Sequence, residues 1–309
     1  MDPLAHTLTG ITLANAGLKQ RVGPGCMLAL ILASNIVDVD IFGTFFLDLP
    51  SWTFRRMWTH SIIMAPALAI FAAVIFRRLY PNASFFTWLW IFLLGAGAHI
   101  FMDLINSYGV VLFFPFSMQR FELAWVFIID LYIWGILLLA LLSPYLFKKL
   151  GREISMRTSA QIGICLLIIY ISLCGILRQR SMHLLEQHGL NNSAEYSFHY
   201  VFPEPFSPWH FRGVLRDADE YHVHLIKPLS GLVTYVKTYK TDEHDPEVAK
   251  LIDSANGKRY QWFFKAPVWE KQSSEMAIVS DLRFKSLLLN REAPFTYLVT
   301  DDSKLGLRP

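Results

Sequence analysis

Charge is what this sequence has least of. Only 17% of its 309 residues are Asp, Glu, Lys or Arg, against about 25% in an average chain. Hydrophobic residues make up 53%, and the mean hydropathy is +0.35. That balance excludes an ordinary soluble protein and fits a membrane protein. Cysteine is nearly missing too. Cys26, Cys165 and Cys174 all fall in apolar stretches, so neither a disulfide framework nor a zinc–thiolate site is implied. No basic run suggests a DNA groove, and a net charge of +3 gives no support for nucleic-acid binding. Also lacking are a glycine-rich phosphate loop, a G-x-S-x-G elbow and a Ser-His-Asp signature. The opening MDPLAHTLTG has neither the basic n-region nor the cleavage site of a signal peptide, so the apolar segments are expected to stay in the mature protein.

What charge there is lies unevenly. Residues 1–179 hold 12 Lys/Arg and 8 Asp/Glu, whereas 180–309 hold 16 and 17. In the first part, apolar segments near 24–47, 60–77, 85–107, 124–147 and 161–178 are each long enough to cross a hydrocarbon core of about 30 Å. A sixth, Pro3–Leu18, spans about 24 Å as a helix and reads as a short span, a re-entrant helix or an interfacial one. From about Ser181 the texture changes. YHVHLIK, GLVTYVKTY, EMAIVSDLRF and FTYLVTD alternate like half-buried strands, and Asp245 to Ala255 reads as a capped helix. The expected architecture is a polytopic α-helical membrane domain of five to six helices over 1–180. A small α+β domain with an antiparallel sheet follows over 181–309. An extended linker is expected over about 181–212, where FPEPFSPWHF carries three prolines.

Lys19, Arg21, Arg77, Arg78, Lys148, Lys149, Arg152 and Arg157 collect on one side of such a topology, and Arg55, Arg56 and Arg120 on the other. The first side is therefore expected to be cytoplasmic. The polar domain then lies outside, in the periplasm of a Gram-negative cell.

The informative residues are the polar ones inside the apolar part. A charge near mid-membrane costs about 2.5 kcal/mol or more on insertion scales. Yet His99 and Asp103 sit one helical turn apart on one face. Asp38 and Asp40 in NIVDVDIF, His60 in RRMWTHSI, Asp130 in FIID and His6 near the start reach a similar, outer depth. Three histidines and four aspartates make too acidic a group for mutual pairing alone. A divalent cation balances it better, since imidazole nitrogens and carboxylate oxygens suit zinc, and mixed N/O sites also take manganese or iron. The expected ligands are His6, Asp38, His60, His99 and Asp103. Asp40 faces elsewhere on a straight helix, so it needs a local break to join them, or it serves a second metal or braces a ligand from behind. Asp130 is open between ligand, brace and helix-capping carboxylate. His222 and His224 share a strand face and could chelate, although such pairs are usually only solvated. Arg55, Arg56 and Arg120 are candidates for holding a phosphate, or for ordinary headgroup anchoring.

These motifs carry a resemblance. MDPLAHTLTG, the DVD at 38–40, WTHS at 58–61, HIFMDLINSYG at 99–109, FPFS at 114–117 and FIID at 127–130 together resemble the YdjM-like family of bacterial inner-membrane proteins. Those proteins are described as LexA-regulated, metal-dependent hydrolases. WHFRGVLRDADEY and AIVSDLRF are similar to the added C-terminal domain of the longer members. The resemblance implies His6, Asp38, Asp40, His60, His99 and Asp103 as metal ligands. Two departures stand out: Arg55-Arg56 where the family often has His-Arg, and Val37 where it often has proline. The first removes one ligand or replaces it with a phosphate-binding cation. A more distant similarity, through the His-x-x-x-Asp helix motif, is to zinc-dependent phospholipases C and related nucleases.

The expected function is hydrolysis of an ester or phosphoester, with a lipid among the candidate substrates, by metal-activated water. Asp40 or Asp130 would act as base, and Arg56 or Arg120 would hold developing negative charge. The rival is a non-catalytic membrane protein whose polar cluster is structural and whose outer domain binds a protein partner that the sequence leaves unidentified.

Overall fold

The computed structural model describes residues 1–46, 50–191, 196–289 and 295–300. Residue 47 of the first expected span, 192–195 of the expected linker and Asp301 at the end of FTYLVTD lie outside them. Two compact units result. One comprises 1–47 and 54–173; the other comprises 48–53 and 174–309.

The first unit is helical: α1 (Pro3–Leu13), a π-helical turn (Ala14–Leu18), α2 (Lys19–Val22), α3 (Cys26–Ala33), α4 (Met64–Leu79), α5 (Phe85–Leu104), α6 (Leu131–Lys149) and the first half of α7 (Met156–Asn191). Caps explain several starts. Asp2 accepts from the Ala5 N–H with Pro3 in the first turn, Ser84 accepts from the Thr87 N–H, and Asp130 accepts from the Tyr132 and Ile133 N–H groups. Helices α5, α6 and α7 are long and apolar enough to cross a membrane. The pair Cys26–Ala33 and Ile36–Phe45, bent by 52°, is apolar enough together to form a broken span or a re-entrant loop. The exposed side chains of these helices, among them Trp90, Leu139, Leu142 and Ile169, are apolar because their medium is lipid.

Small residues let the helices approach closely. A Cβ on Gly95 of α5 would lie 2.4 Å from the Ala33 Cβ of α3, and one on Gly10 of α1 would lie 2.6 Å from the Leu30 carbonyl oxygen. Both contacts hold α1, α3 and α5 together at the level of Ser34 and His99.

Two expected spans begin later than the hydropathy suggests. Residues 54–63 and 105–130 form turns and short bridges, not helix. They are tied together by Val111 N–H to Arg56 O (2.8 Å) and Ile62 N–H to Leu112 O (2.9 Å), and the second is tied to the end of α5 by Trp125 N–H to Ile105 O (2.7 Å). Irregular backbone at membrane depth is tolerated where its polar groups are satisfied within the protein.

The second unit is α+β. The sheet β1 (Phe198–Glu204), β2 (Ser207–Asp217), β3 (Glu220–Lys227), β4 (Leu232–Lys240) is an antiparallel meander. A second antiparallel sheet contains β5 (Pro267–Lys271), β6 (Met276–Asp281) and β7 (Thr296–Thr300). Between them come α8 (Pro246–Asp253), capped by Asp245, and α9 (Ala255–Phe263). Four of the strands match the expected texture. The linker over 181–212 does not: α7 runs on to Asn191, and 198–212 pair as a hairpin. Its prolines fit because β1 is an edge strand, so Pro203 needs no outward N–H. Pro208 precedes Phe211, where β2 begins to pair with β3. Helix α7 has 36 residues, about 54 Å, so it outruns the bilayer. Its end packs Leu185 against Val201, Phe211 and Ile226 of the sheet.

His222 and His224 share that α7-facing side. His222 contacts Thr238 Oγ1 (2.9 Å), while His224, buried, meets the His188 ring at 5.0 Å. Burial, with His188 adding to it, lowers the His224 pKa to about 4. The neutral form is therefore the folded one. The stability it contributes is complete above the unfolded value of about 6.5 and is lost as pH falls from there toward 4. Hydrogen-exchange protection of β3 in the full-length protein is expected to fall between pH 7 and 5, and to fall less in His224→Phe.

Candidate metal centre

The break after α3 decides where the acids go. Residues Ile36–Phe45 wind as a 3-10 helix, which turns about 120° per residue instead of about 100°. Asp38 and Asp40 are thus brought nearer a common side, and they straddle the ring of His60. Asp38 Oδ1 lies 3.7 Å from His60 Nε2, and Asp40 Oδ2 lies 3.7 Å from His60 Nδ1. His60 is in the turns before α4. His99 and Asp103 share the inner face of α5. All of these are buried except Asp38, whose side chain is 13% exposed.

The proton positions follow from the partners. His99 Nδ1 lies 2.7 Å from the Ser34 carbonyl oxygen. A carbonyl only accepts, so Nδ1 carries the proton and Nε2 presents its lone pair. Thr59 Oγ1 lies 3.2 Å from Asp40 Oδ2 and 3.0 Å from His60 Nδ1. Its single proton goes to the carboxylate, so it accepts from His60 Nδ1–H. His60 Nε2 then also presents a lone pair, 3.2 Å from His99 Nε2. Two facing lone pairs repel unless a cation lies between them.

The remaining distances fit one. Asp103 Oδ2 is 3.4 Å from His60 Nε2 and 3.5 Å from His99 Nε2, and Asp38 Oδ1 is 3.7 and 3.8 Å from the same two nitrogens. One ligand atom from each of these four residues lies within 4.8 Å of every other. Tetrahedral ligands bonded at about 2.0–2.2 Å are separated by about 3.3–3.6 Å. His60, His99 and Asp103 form a tight triad, and Asp38 is a looser fourth donor on the exposed side. Both Asp103 oxygens are buried and are balanced by ion pairs with Arg56 and the Met1 amino group.

Cations of the chain surround the group. Arg56 Nε is 2.7 Å from Asp103 Oδ2, and its guanidinium also donates to Met1 O (3.0 Å) and Asn106 Oδ1 (3.2 Å). The Met1 amino group pairs with Asp103 Oδ1. Arg55, 25% exposed, donates to Asp38 Oδ1 at 2.8 Å. His6 stacks on His99 with centroids 3.6 Å apart, and its Nε2 lies 3.3 Å from Asp103 Oδ1.

The sequence-derived candidates thus separate. His6, Asp38, Asp40, His60, His99, Asp103 and Arg56 come together. Asp40 lies behind His60, bonded to Thr59 and the Arg56 N–H. Arg120 donates to Gly109 O and Arg55 O, and so holds the loops. Asp130 spends its oxygens on the first turn of α6 and on Tyr170 Oη. Thr59, Asn106 and the Ser34 carbonyl escaped the sequence reading. Thr59 and Asn106 stood inside quoted motifs, whereas a carbonyl leaves no sequence signal. Thr59→Val unlinks Asp40 from His60 and is expected to weaken divalent-metal affinity about 10–100-fold, measured by competition with a chromophoric chelator.

Fold and site together define an integral membrane protein with a His/Asp cluster able to hold a metal ion. The chain belongs to the YdjM inner membrane protein family, whose model matches residues 1–181. It is also similar to "Uncharacterized protein YfhP" of Bacillus subtilis (strain 168), 29% identical over 125 residues. That match spans 38% of this chain and 38% of the relative. No solved structure matches.

Proposed function

We propose that this protein hydrolyses an ester or phosphoester bond at a divalent ion, zinc by its donor set, held by His60, His99, Asp103 and Asp38. The observation that carries the reading is the asymmetry of the donors. Three are tight and buried; the fourth is looser, partly exposed and shared with Arg55. Catalytic zinc sites hold the ion with three protein ligands and leave the fourth position to water or substrate; His60, His99 and Asp103 match that set, and the looser Asp38 yields the fourth position. A bound ion there supplies a Lewis acid and lowers the pKa of water toward about 7.

The chain's own residues do the rest. Asp103 is neutralised by Arg56 and so stays ionised in a dry setting. Asp40 and Thr59 fix the tautomer of His60, and the Ser34 carbonyl fixes that of His99. Arg55 is the partly exposed cation, so it meets negative charge that develops on the scissile group. Arg56, buried and fully engaged, serves structure instead. His6 is a further buried donor beside Asp103. From the Lys/Arg distribution we assign the C-terminal unit to the extracytoplasmic side.

The ion pairs Arg56–Asp103 and Arg55–Asp38 favour the rival, a purely structural cluster, because they balance charge without a metal. The facing imidazole nitrogens weigh against it. The test uses untagged protein in detergent, assayed with soluble aryl esters and phosphoesters before and after chelation. Turnover lost on chelation, restored by zinc and absent in Asp38→Asn supports the reading. Inactivity of metal-loaded protein toward every ester and phosphoester overturns it.

A further inference from the structure

A groove of about 240 Å³ lies between α4 and α5. Its wall on α5 includes Ala96 and the stripe Leu93, Gly97 and Ile100, spaced i, i+4, i+7 over about 10 Å. Pro66 of α4 lines the opposite side, and His60 and Leu112 are also in its wall. The Ile62–Leu112 backbone bond joins the two loops there. The lining is almost wholly apolar, yet it includes His60, one of the four candidate metal donors.

Open space lies beside Gly97. A Cβ built there meets nothing within 4 Å, and Gly97 is exposed, as is Ile62 beside it. Close helix packing therefore does not require this glycine, unlike Gly95. Helix α5 is long and apolar enough to cross a membrane, and the exposed residues at the groove, Ile62 and Gly97, are apolar, which suits an opening onto hydrocarbon. Its volume is below the roughly 300 Å³ at which pockets enclose a drug-sized ligand. It suits part of one chain whose remainder stays in the bilayer.

We propose that this groove seats one acyl chain of a membrane phospholipid, and that the lipid is the substrate. This rests on the hydrolase reading above and adds its substrate class and route of entry. A chain lying along Leu93, Gly97 and Ile100 brings the polar end of its lipid to His60. Arg55, the partly exposed cation of the centre, complements an anionic phosphate. The substrate enters sideways from the bilayer, which is how a site buried at 0–1% exposure for its two imidazoles is reached.

The test uses the full-length protein in nanodiscs containing phosphatidylglycerol with a photoreactive acyl chain. Gly97→Leu fills the groove. Gly135→Leu is the control, because a Cβ at Gly135 of α6 also meets nothing within 4 Å. Wild type is expected to label the 93–100 peptide about 5-fold more than the lipid-facing 138–146 peptide, and Gly97→Leu to abolish that excess. Phospholipid turnover is expected to fall at least about 10-fold in Gly97→Leu, with soluble-ester turnover and metal content within about 2-fold of wild type. Gly135→Leu is expected to change neither.

Equal labelling of the two peptides overturns the groove. Unchanged phospholipid turnover in Gly97→Leu, with the enzyme active, overturns the substrate route and leaves the hydrolase reading intact. Soluble-ester turnover without phospholipid turnover overturns the substrate class alone. Inactivity of wild type on both substrates overturns the substrate assignment together with the reading beneath it.

Discussion

His60→Ala combined with His99→Ala is expected to abolish tight divalent-metal binding while leaving a folded protein. Structural zinc binding in small domains is worth roughly 10–16 kcal/mol for four ligands. Two donors thus account for roughly 5–8 kcal/mol, a loss of about 10⁴- to 10⁶-fold in affinity. The fold should survive because, in the metal-free wild type, the hydrogen bonds of these rings to Thr59 and Ser34 are offset by their facing lone pairs, 3.2 Å apart. The decisive readout is linkage. Adding zinc should raise the unfolding temperature of wild type and leave that of the double variant unchanged. Equal shifts in both would mean that any ion binds elsewhere.

Arg56→Met is expected to be the most destabilising single substitution in the helical unit. It removes the guanidinium 2.7 Å from the Asp103 carboxylate, 0% exposed, and leaves the Met1 amino group as the remaining cationic partner; breaking a buried ion pair costs up to about 3–5 kcal/mol. A bound metal would supply part of the missing charge. The loss should therefore be larger in chelator than in excess zinc, which a purely structural ion pair would not produce. Arg56→Met with Asp103→Leu should recover much of the stability lost in Arg56→Met alone, and none of the metal binding. Chemical unfolding in detergent, with and without chelator, measures all three variants.

Polarity at a shared depth made the centre legible in the sequence. His99 and Asp103 needed only the helical repeat, since i and i+4 share a face whatever the tertiary fold. Asp40 was harder. Its role depends on the 3-10 stretch after α3, which no propensity announces, so a braced position behind His60 was one of several openings. Arg56 and Asp130 read as catalytic because a charge in an apolar stretch draws attention, but side-chain partners set their roles. Arg56 holds Asp103, and Asp130 starts α6. Hydropathy misplaced the starts of α4 and α6, because loops satisfied by one another's backbone can be as apolar as helices. The proline-rich FPEPFSPWHF read as linker for a similar reason: an edge strand accepts prolines that a central strand would reject. The strands beyond it were legible because their side-chain alternation is a local property. Gly97 carried no signal at all, since an open space beside a helix is known only once its neighbour is placed.

The most direct test of the account is the metal content of the untagged wild-type protein, purified in detergent and measured by mass spectrometry alongside His60→Ala/His99→Ala. The account predicts about one divalent ion per chain in wild type and less than about 0.1 in the variant. Less than about 0.2 in wild type after zinc loading, or the same content in both proteins, would contradict it and leave the His/Asp cluster as an ion-pair network inside a membrane scaffold.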